Sequence, residues 1–272
     1  MGGMHKIVEG MVSLAREQGV TFKTNTNVEE IIITKGKAKQ LKTNNGLLEA
    51  DFIISSADYN HTDQHLLPKE YRNYTASYWD KRVMAPSSLL YYVGISKKLK
   101  GVKHHSLFFD KDFAKHAKEI YESPQWPSDP LFYVCAPSVT DKSVCPEGYE
   151  NLFFLIPTAP GLSGDTEDVR NRYFDLIVDR FEKATNNNIK DSIVYYKSFA
   201  HKEFVSEYNA FKGNAYGLAN TLNQTAILKP SIKNKKVSNL YYTGQLTNPG
   251  PGVPPSLISG QVVANQLIKE NS

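Results

Sequence analysis

The stretch from Thr243 to Pro255 carries the strongest chemical signal in the chain: Gly244 closes an apolar run, Gly250 and Gly252 follow two residues apart, and Pro254 and Pro255 come next. Glycine has no Cβ, so backbone built from it can lie close to a ligand. Proline fits the first turn of a helix, where N–H groups have no partner within the helix. A strand ending at 243–244, a glycine–proline loop and a helix opening near Val253 and Pro254 together make an N-terminus that receives an anion. Plain turns before helices use the same residue types, so the stretch by itself says "ligand edge" no more strongly than "turn".

Side chains offer less. His61 and His65 are four residues apart and can share a helical face, but no Cys, Asp or Glu accompanies them at a ligand spacing. His104 and His105 are adjacent, and their rings are expected to diverge in either a strand or a helix. His201, beside Lys202 and Glu203, reads as a solvated loop residue. No metal site is expected. Cys135 and Cys145 lack CxxC spacing and read as ordinary thiols of a reducing compartment. Asp58 ends an apolar run, where a turn or cap role outweighs a functional one. No GxSxG occurs, and no serine or cysteine stands beside a histidine in a known signature, which argues against hydrolase chemistry. No GxGxxG occurs either: Gly250-Pro-Gly252 runs on into Val-Pro-Pro, and Gly213 to Gly217 has the wrong spacing. No catalytic base is assigned.

The elements that must position these residues are legible from periodicity. Met4, Ile7, Val8, Met11, Val12 and Ala15 mark one face of a helix that Gly19 can stop in the left-handed region, and the apolar stripe predicts that it is buried. Strands are expected at 28–34, 38–43 and 47–50, joined by Lys35-Gly36-Lys37 and Asn44-Asn45-Gly46 as an antiparallel meander. The apolar run 51–55 predicts a strand covered on both faces that returns to a central sheet. Aromatic-rich strands at 89–95, 106–109, 131–136 and 152–157 follow. A helix over 166–184, with Val169, Tyr173, Leu176, Ile177 and Phe181 on one stripe, leads to a strand at 192–198. After the last loop, Gly260 is expected to let the final helix lie close on the sheet.

The chain has 272 residues and is 40% hydrophobic, enough for one large or two modest cores. The net charge of +4 is spread along the sequence, so no nucleic-acid partner is implied. That mild positive balance, with 16 Tyr and 13 Phe, suits contact with an anionic membrane surface. The longest apolar stretches, 88–95 and 151–157, fall far short of the ~20 residues a spanning helix needs. No signal-peptide pattern precedes the first helix, and the cytoplasmic side is expected.

The stretch LYYTGQLTNPGPGVPPSLISG over 240–260 resembles the C-terminal flavin motif of the phytoene desaturase (carotenoid desaturase) family, within the wider amine-oxidase-like flavoproteins. Gly2-Gly3-Met4 leading into a helix, 25–31, and 50–58 are similar to further parts of that family, so the likeness spans essentially the whole chain. It implies an α/β, two-domain FAD-binding oxidoreductase, here its carboxy-terminal part without the GxGxxG segment. Residues 1–60 and 213–272 would complete an incomplete Rossmann-like cofactor domain, and 61–212 would form a mixed-sheet substrate domain. By resemblance, Val28 holds the adenine through its backbone, while Gly244, Gln245, Gly252, Val253 and Pro254 line the flavin end. Gln245 stands where many relatives carry an acid, which makes that contact neutral. Phe211, Gly213, Ala215 and Tyr216 match a segment where the second domain returns to the flavin, and are expected to border the substrate.

The implied activity is FAD-dependent desaturation of a carotenoid precursor such as phytoene, at a membrane surface on the cytoplasmic side. A hydrocarbon offers nothing to hydrogen-bond, so the protein's task would be an apolar, aromatic-walled passage. A hydroxycarotenoid desaturase, a carotene isomerase or a carotenoid oxygenase fits the same resemblance. A non-catalytic polyene- or partner-binding part fits the missing half-site, whereas the apolar middle disfavours an amine oxidase. Partners on this reading are the lipid-soluble carotenoid, the membrane surface and the absent FAD-binding segment.

Overall fold

The structure, a computed structural model, describes residues 1–272. The chain begins with α1 (His5–Glu17), β1 (Val28–Thr34), β2 (Lys37–Thr43), β3 (Gly46–Glu49) and β4 (Ile53–Ser55). Two short helices, α2 (Tyr59–His61) and α3 (Ala76–Asp80), lead to β5 (Ser87–Ile95), β6 (His105–Phe108), α4 (Phe113–Tyr121), β7 (Phe132–Cys135) and β8 (Glu150–Thr158). The long helix α5 (Glu167–Thr185), β9 (Ile193–Phe199), α6 (His201–Tyr208), β10 (Leu240–Tyr242) and α7 (Val253–Asn271) complete it. No helix is long and apolar enough to cross a membrane.

The chain forms two compact units, each assembled from two separate stretches: Met1–Phe22 with Ser87–Lys202, and Lys23–Pro86 with Glu203–Ser272. These divisions differ from the expected 1–60, 61–212 and 213–272. The first helix goes with the middle of the chain, while 61–86 and 203–212 go with the unit that holds the glycine–proline loop.

In the first unit a five-stranded sheet runs in the order β6-β7-β8-β5-β9. Every neighbouring pair is antiparallel, so the sheet expected to be mixed is not. Alternate residues of β5 and β8, among them Tyr91, Val93, Leu152, Phe154 and Ile156, point to one face and pack with Tyr173, Ile177 and Phe181 of α5. Each such fully buried side chain contributes about 1.5–3 kcal/mol. Thr166 caps α5 by accepting from Val169 N, and Asn186 ends it in the left-handed region. The opposite face of the sheet is aromatic and only half covered: Tyr92 meets Phe153 at 5.3 Å between ring centres, and Phe153 meets Tyr133 at 6.4 Å. The aromatic residues of this region thus divide between a core and an accessible face.

Helix α1 ends at Gln18, and Gly19 takes φ +83° as expected. Its burial is not as expected: none of its residues is buried, and Ile7, Val8, Met11 and Leu14 are about half exposed. An amphipathic stripe marks the face a helix can bury, but does not supply the surface that would cover it.

In the second unit β1–β3 form the antiparallel meander and β4 pairs in parallel with β10, Ile53 opposite Leu240 and Ser55 opposite Tyr242. Residues nearly two hundred positions apart therefore end side by side at the loop. The expectation of two covered faces for β4 fails: Ile53 is buried, yet Phe52 and Ile54, which alternate with it onto the other face, are exposed. The core gathers Ile31, Ile53, Tyr59, Trp79, Leu240 and Tyr242, with the rings of Tyr59 and Tyr242 stacked at 3.8 Å. At its centre lies Asp63, fully buried and accepting from the backbone N–H groups of Asn73 (2.7 Å) and Tyr74 (3.0 Å), the indole N–H of Trp79 (3.3 Å) and the side chain of Gln64 (3.0 Å).

Candidate functional site

The site is built where β10 ends. Gly244 follows at φ +100°, and its N–H donates to Ser259 Oγ at 2.9 Å. The Ser259 hydroxyl lies 2.5 Å from Thr243 Oγ1 and donates to Ser256 O at 2.7 Å. Fully buried Ser259 therefore clips the end of the strand onto the second turn of α7. Gly250 and Gly252 take φ +135° and +110°, conformations that side chains rarely tolerate. Helix α7 starts at Val253 with Gly252 as its N-cap, which brings no side chain to satisfy the first turn. Pro254 and Pro255 have no N–H, so Val253 carries the free donor of that turn beside the helix dipole.

Sequence reading missed Lys229. It is 6% exposed, its Nζ has no hydrogen-bond partner, and it lies 3.3 Å from where a Cβ on Gly250 would stand. Burial pushes its pKa below the ordinary lysine value. An unpaired ammonium facing a glycine loop beside an uncapped helix N-terminus is an arrangement that suits an anionic group. The one sequence signal is a lysine placed between an apolar triplet, Ala226 to Leu228, and Pro230.

A second segment meets the loop. Gln245 donates its side-chain amide to Asn214 Oδ1 at 3.2 Å, and the same oxygen accepts from Gly217 N at 2.7 Å. Asn214 in turn donates to Phe211 O at 2.7 Å. Phe211 N donates to Asp58 Oδ2 at 3.1 Å, while Asp58 Oδ1 accepts from His61 N at 3.1 Å. Asp58 thus caps α2, as expected, and also ties the 211–217 segment to the end of β4. Desolvation raises its pKa, against the donors that hold the charged form. Asn214 lies in the segment expected to border the substrate, and the structure shows it tying that segment to the loop.

Gly217 shows how tight this contact is. At φ +73° it leaves space for no Cβ, which would stand 3.0 Å from the carbonyl oxygen of Gln245. Gly217→Ala is expected to destabilise the protein by about 1–3 kcal/mol through left-handed strain and the backbone clash. Chemical denaturation measures this, and an unchanged midpoint would contradict the packing described.

The expected site residues therefore divide. Gly244, Gln245, Gly252, Val253 and Pro254 lie together on the loop and at the start of α7, with Val253 and Pro254 exposed. The segment with Phe211, Gly213, Ala215 and Tyr216 joins them through Asn214, and Tyr216 is 40% exposed. Val28 stands on the meander, opposite Thr43 and half-buried against the core. Gly260 is not the close-approach position anticipated: a Cβ there meets open space, and Ser259 and Val263 are the buried residues of α7. Side chains one position apart on a helix point about 100° apart, so the choice of facing residue was off by a single step.

The histidines differ from expectation in two places. His61 and His65 do share a face, their rings 5.4 Å apart. His104 and His105 do not diverge; their rings lie 4.2 Å apart at 35°. His104 sits in a bend just before β6, where strand alternation does not yet hold. His201 is buried, with Nε2 2.8 Å from Ala159 O, rather than solvated.

The profile of the flavin-containing amine oxidoreductase family matches residues 1–268. The chain belongs to that family. Among its relatives, a carotenoid 3,4-desaturase of Haloarcula japonica is 41% identical over 99% of this chain and 54% of its own length. A 4,4'-diapophytoene desaturase of Staphylococcus aureus is 30% identical over 99% of this chain and 56% of its own. A zeta-carotene-forming phytoene desaturase of Myxococcus xanthus is 29% identical over 98% and 52%. The chain thus spans about half the length of the curated relatives it matches. Among solved structures, an oxidoreductase of Methanosarcina mazei superposes with a TM-score of 0.59 at 15% identity, over 95% of this chain and 53% of the other. A Pyrococcus furiosus protein gives 0.57 at 12% identity, over 96% and 51%. At those identities the likeness is one of fold. The expected α/β fold of this flavoprotein class is the one observed.

A flavin dinucleotide fits what the loop offers. Its pyrophosphate or the electron-rich edge of its ring system would satisfy Lys229 Nζ and the Val253 N–H, and the glycines leave backbone uncovered for close approach.

Proposed function

We propose that this chain contributes the flavin-facing loop and part of the substrate surface of an FAD-dependent carotenoid desaturase, removing two hydrogens from a carbon–carbon bond of a polyene. The observation that carries the cofactor part is Lys229, a buried ammonium without a partner, set against Gly250. When bound, FAD supplies the acceptor for the hydride equivalent that desaturation takes from the substrate. The chain's own residues hold and orient: Lys229 and Val253 N–H take the anionic part, Ser259 keeps the strand end and α7 in register, and the Asp58–Asn214–Gln245 series fixes the 211–217 segment beside the loop. Val28 is proposed to hold the adenine through its backbone, by family resemblance.

A carotenoid substrate is supported by the relatives' names and by the composition of 211–217 and 244–254, which hold no Asp, Glu, His or Arg and one charged side chain, exposed Lys212. Phe211 and Tyr216 offer rings instead. The half-covered aromatic face with Tyr92, Phe153 and Tyr133 is a second apolar surface suited to a long hydrocarbon. The 41% relative favours a 3,4-bond of a formed carotenoid as the bond desaturated. Phytoene-type precursors are the second reading, favoured by the relatives at 29–30%. Because such substrates reside in lipid, we place the work at a membrane surface on its cytoplasmic side.

The test is the visible absorption spectrum of the purified chain, alone and co-expressed with a GxGxxG-bearing strand–loop–helix segment. A bound flavin spectrum is expected in at least the second sample, with anaerobic bleaching on addition of a carotenoid. Folded, assembled protein without flavin would sink the enzyme reading in favour of a polyene-binding role. Flavin that a carotenoid never reduces would retain the cofactor and overturn the substrate.

A further inference from the structure

His104, His105 and Cys135 each offer one donor atom, and the three atoms lie within 4.8 Å of one another. We propose that they form a Zn2+ site on the open face of the five-stranded sheet, separate in sequence and in structural unit from the glycine loop.

The sheet brings the residues together. His105 and Cys135 are direct partners in the β6–β7 register, so their side chains leave the same face. Ala136 N donates to His104 O at 2.8 Å, which pins the bend that turns the His104 ring toward its neighbour. Both imidazoles are already oriented by hydroxyls: His104 Nδ1 lies 2.6 Å from Thr140 Oγ1, and His105 Nδ1 lies 2.6 Å from the Tyr133 hydroxyl. Such hydroxyl contacts are of the kind that fix the rings of metal-binding histidines. Cys135 is free and half-buried, His105 is exposed, and an ion can enter from solvent.

The donor set selects the metal. One thiolate with two imidazoles suits a borderline-soft ion, and Zn2+ takes such ligands tetrahedrally at about 2.3 Å from sulfur and 2.0–2.1 Å from nitrogen. Those lengths put the donors about 3.3–3.6 Å apart, so the three side chains need to close by about 1 Å from their outermost spacing. Three protein ligands leave one position for water. Binding would exchange the Cys135 thiol proton for the metal, with no change of oxidation state.

The experiment is a titration of the purified full chain with Zn2+ in competition with a chromophoric chelator, paired with Co2+ substitution. One saturable equivalent is expected, and the Co2+ form should show a thiolate charge-transfer band. Cys135→Ser should abolish that band, and His105→Ala should weaken binding at least 100-fold. Thr140→Ala and Tyr133→Phe should weaken it by about 10–100-fold. Cys145→Ser should leave it unchanged. To avoid dependence on variants that fail to fold, alkylation of the unmutated protein is followed by mass spectrometry: Zn2+ should protect Cys135 and not Cys145. Absence of a saturable equivalent, equal alkylation of both cysteines, or undiminished binding in folded Cys135→Ser would each overturn the site.

Discussion

Lys229→Met is expected to act in opposite directions on two measurements: flavin affinity should fall by about 10–100-fold, while the flavin-free protein should gain about 1–3 kcal/mol of stability. The first follows from losing a charge-assisted contact, worth roughly 1.5–3 kcal/mol. The second follows because Nζ is buried without a partner, and an isolated buried charge is costly where an apolar side chain of similar length is not. Flavin fluorescence titration of the co-expressed assembly and urea denaturation of the chain read the two effects. A pH series gives a third. Burial lowers the folded-state pKa of Lys229 below its unfolded value, so between those two values the unfolded chain binds the extra proton. Stability should therefore rise as pH climbs through that interval, and the substitution should flatten the rise. If Lys229→Met weakened both properties together, the lysine would be a structural contact and not an anion receptor.

The largest loss of stability is expected at Asp63. Its two carboxylate oxygens accept from two backbone N–H groups, the Trp79 indole and the Gln64 amide, with no exposure to solvent. Asp63→Ala leaves these donors without an acceptor at about 1–3 kcal/mol each before relaxation, for a net loss of about 3–5 kcal/mol. The melting temperature should fall on the order of 10 °C. Asp63→Asn retains one acceptor oxygen and should recover part of the loss. The aromatic cluster of Tyr59, Tyr74, Trp79 and Tyr242 surrounds this carboxylate, so near-ultraviolet circular dichroism during the melt reports on it directly. A loss below about 1 kcal/mol would mean that water or neighbouring groups replace Asp63 easily.

Asp63 also illustrates what sequence reading passes over. An aspartate between Thr62 and Gln64 looks like any polar residue after a strand; nothing local tells that Asn73, Tyr74 and Trp79 fold back onto it. Lys229 is similar. Its meaning depends on Gly250, twenty-one positions later, and on the conformation that brings the loop against its ammonium. Gly260 and Ser259 mark the limit of resolution of a periodic argument: the strand–loop–helix was readable, but which of two adjacent residues faces the sheet was not.

What the sequence by itself determined is everything carried by short-range periodicity and by unusual local composition. The meander over 28–50, the strands and long helix of the middle region, and the strand–glycine loop–α7 arrangement follow from side-chain alternation, helical spacing and the special backbone freedom of glycine and proline. What only the tertiary structure decided is which distant stretches share a unit, which faces are covered, and which polar groups find partners. The apolar stripe of α1 predicted a buried helix, yet no surface lies over it. The run at 51–55 predicted two covered faces, yet Ile53 is buried while Ile54 is exposed. Adjacent histidines predicted divergence, yet a bend and a cross-strand pairing turned both toward Cys135. Local pattern states what a residue is able to bury or bond; the long-range pairing of the chain determines what is there to meet it.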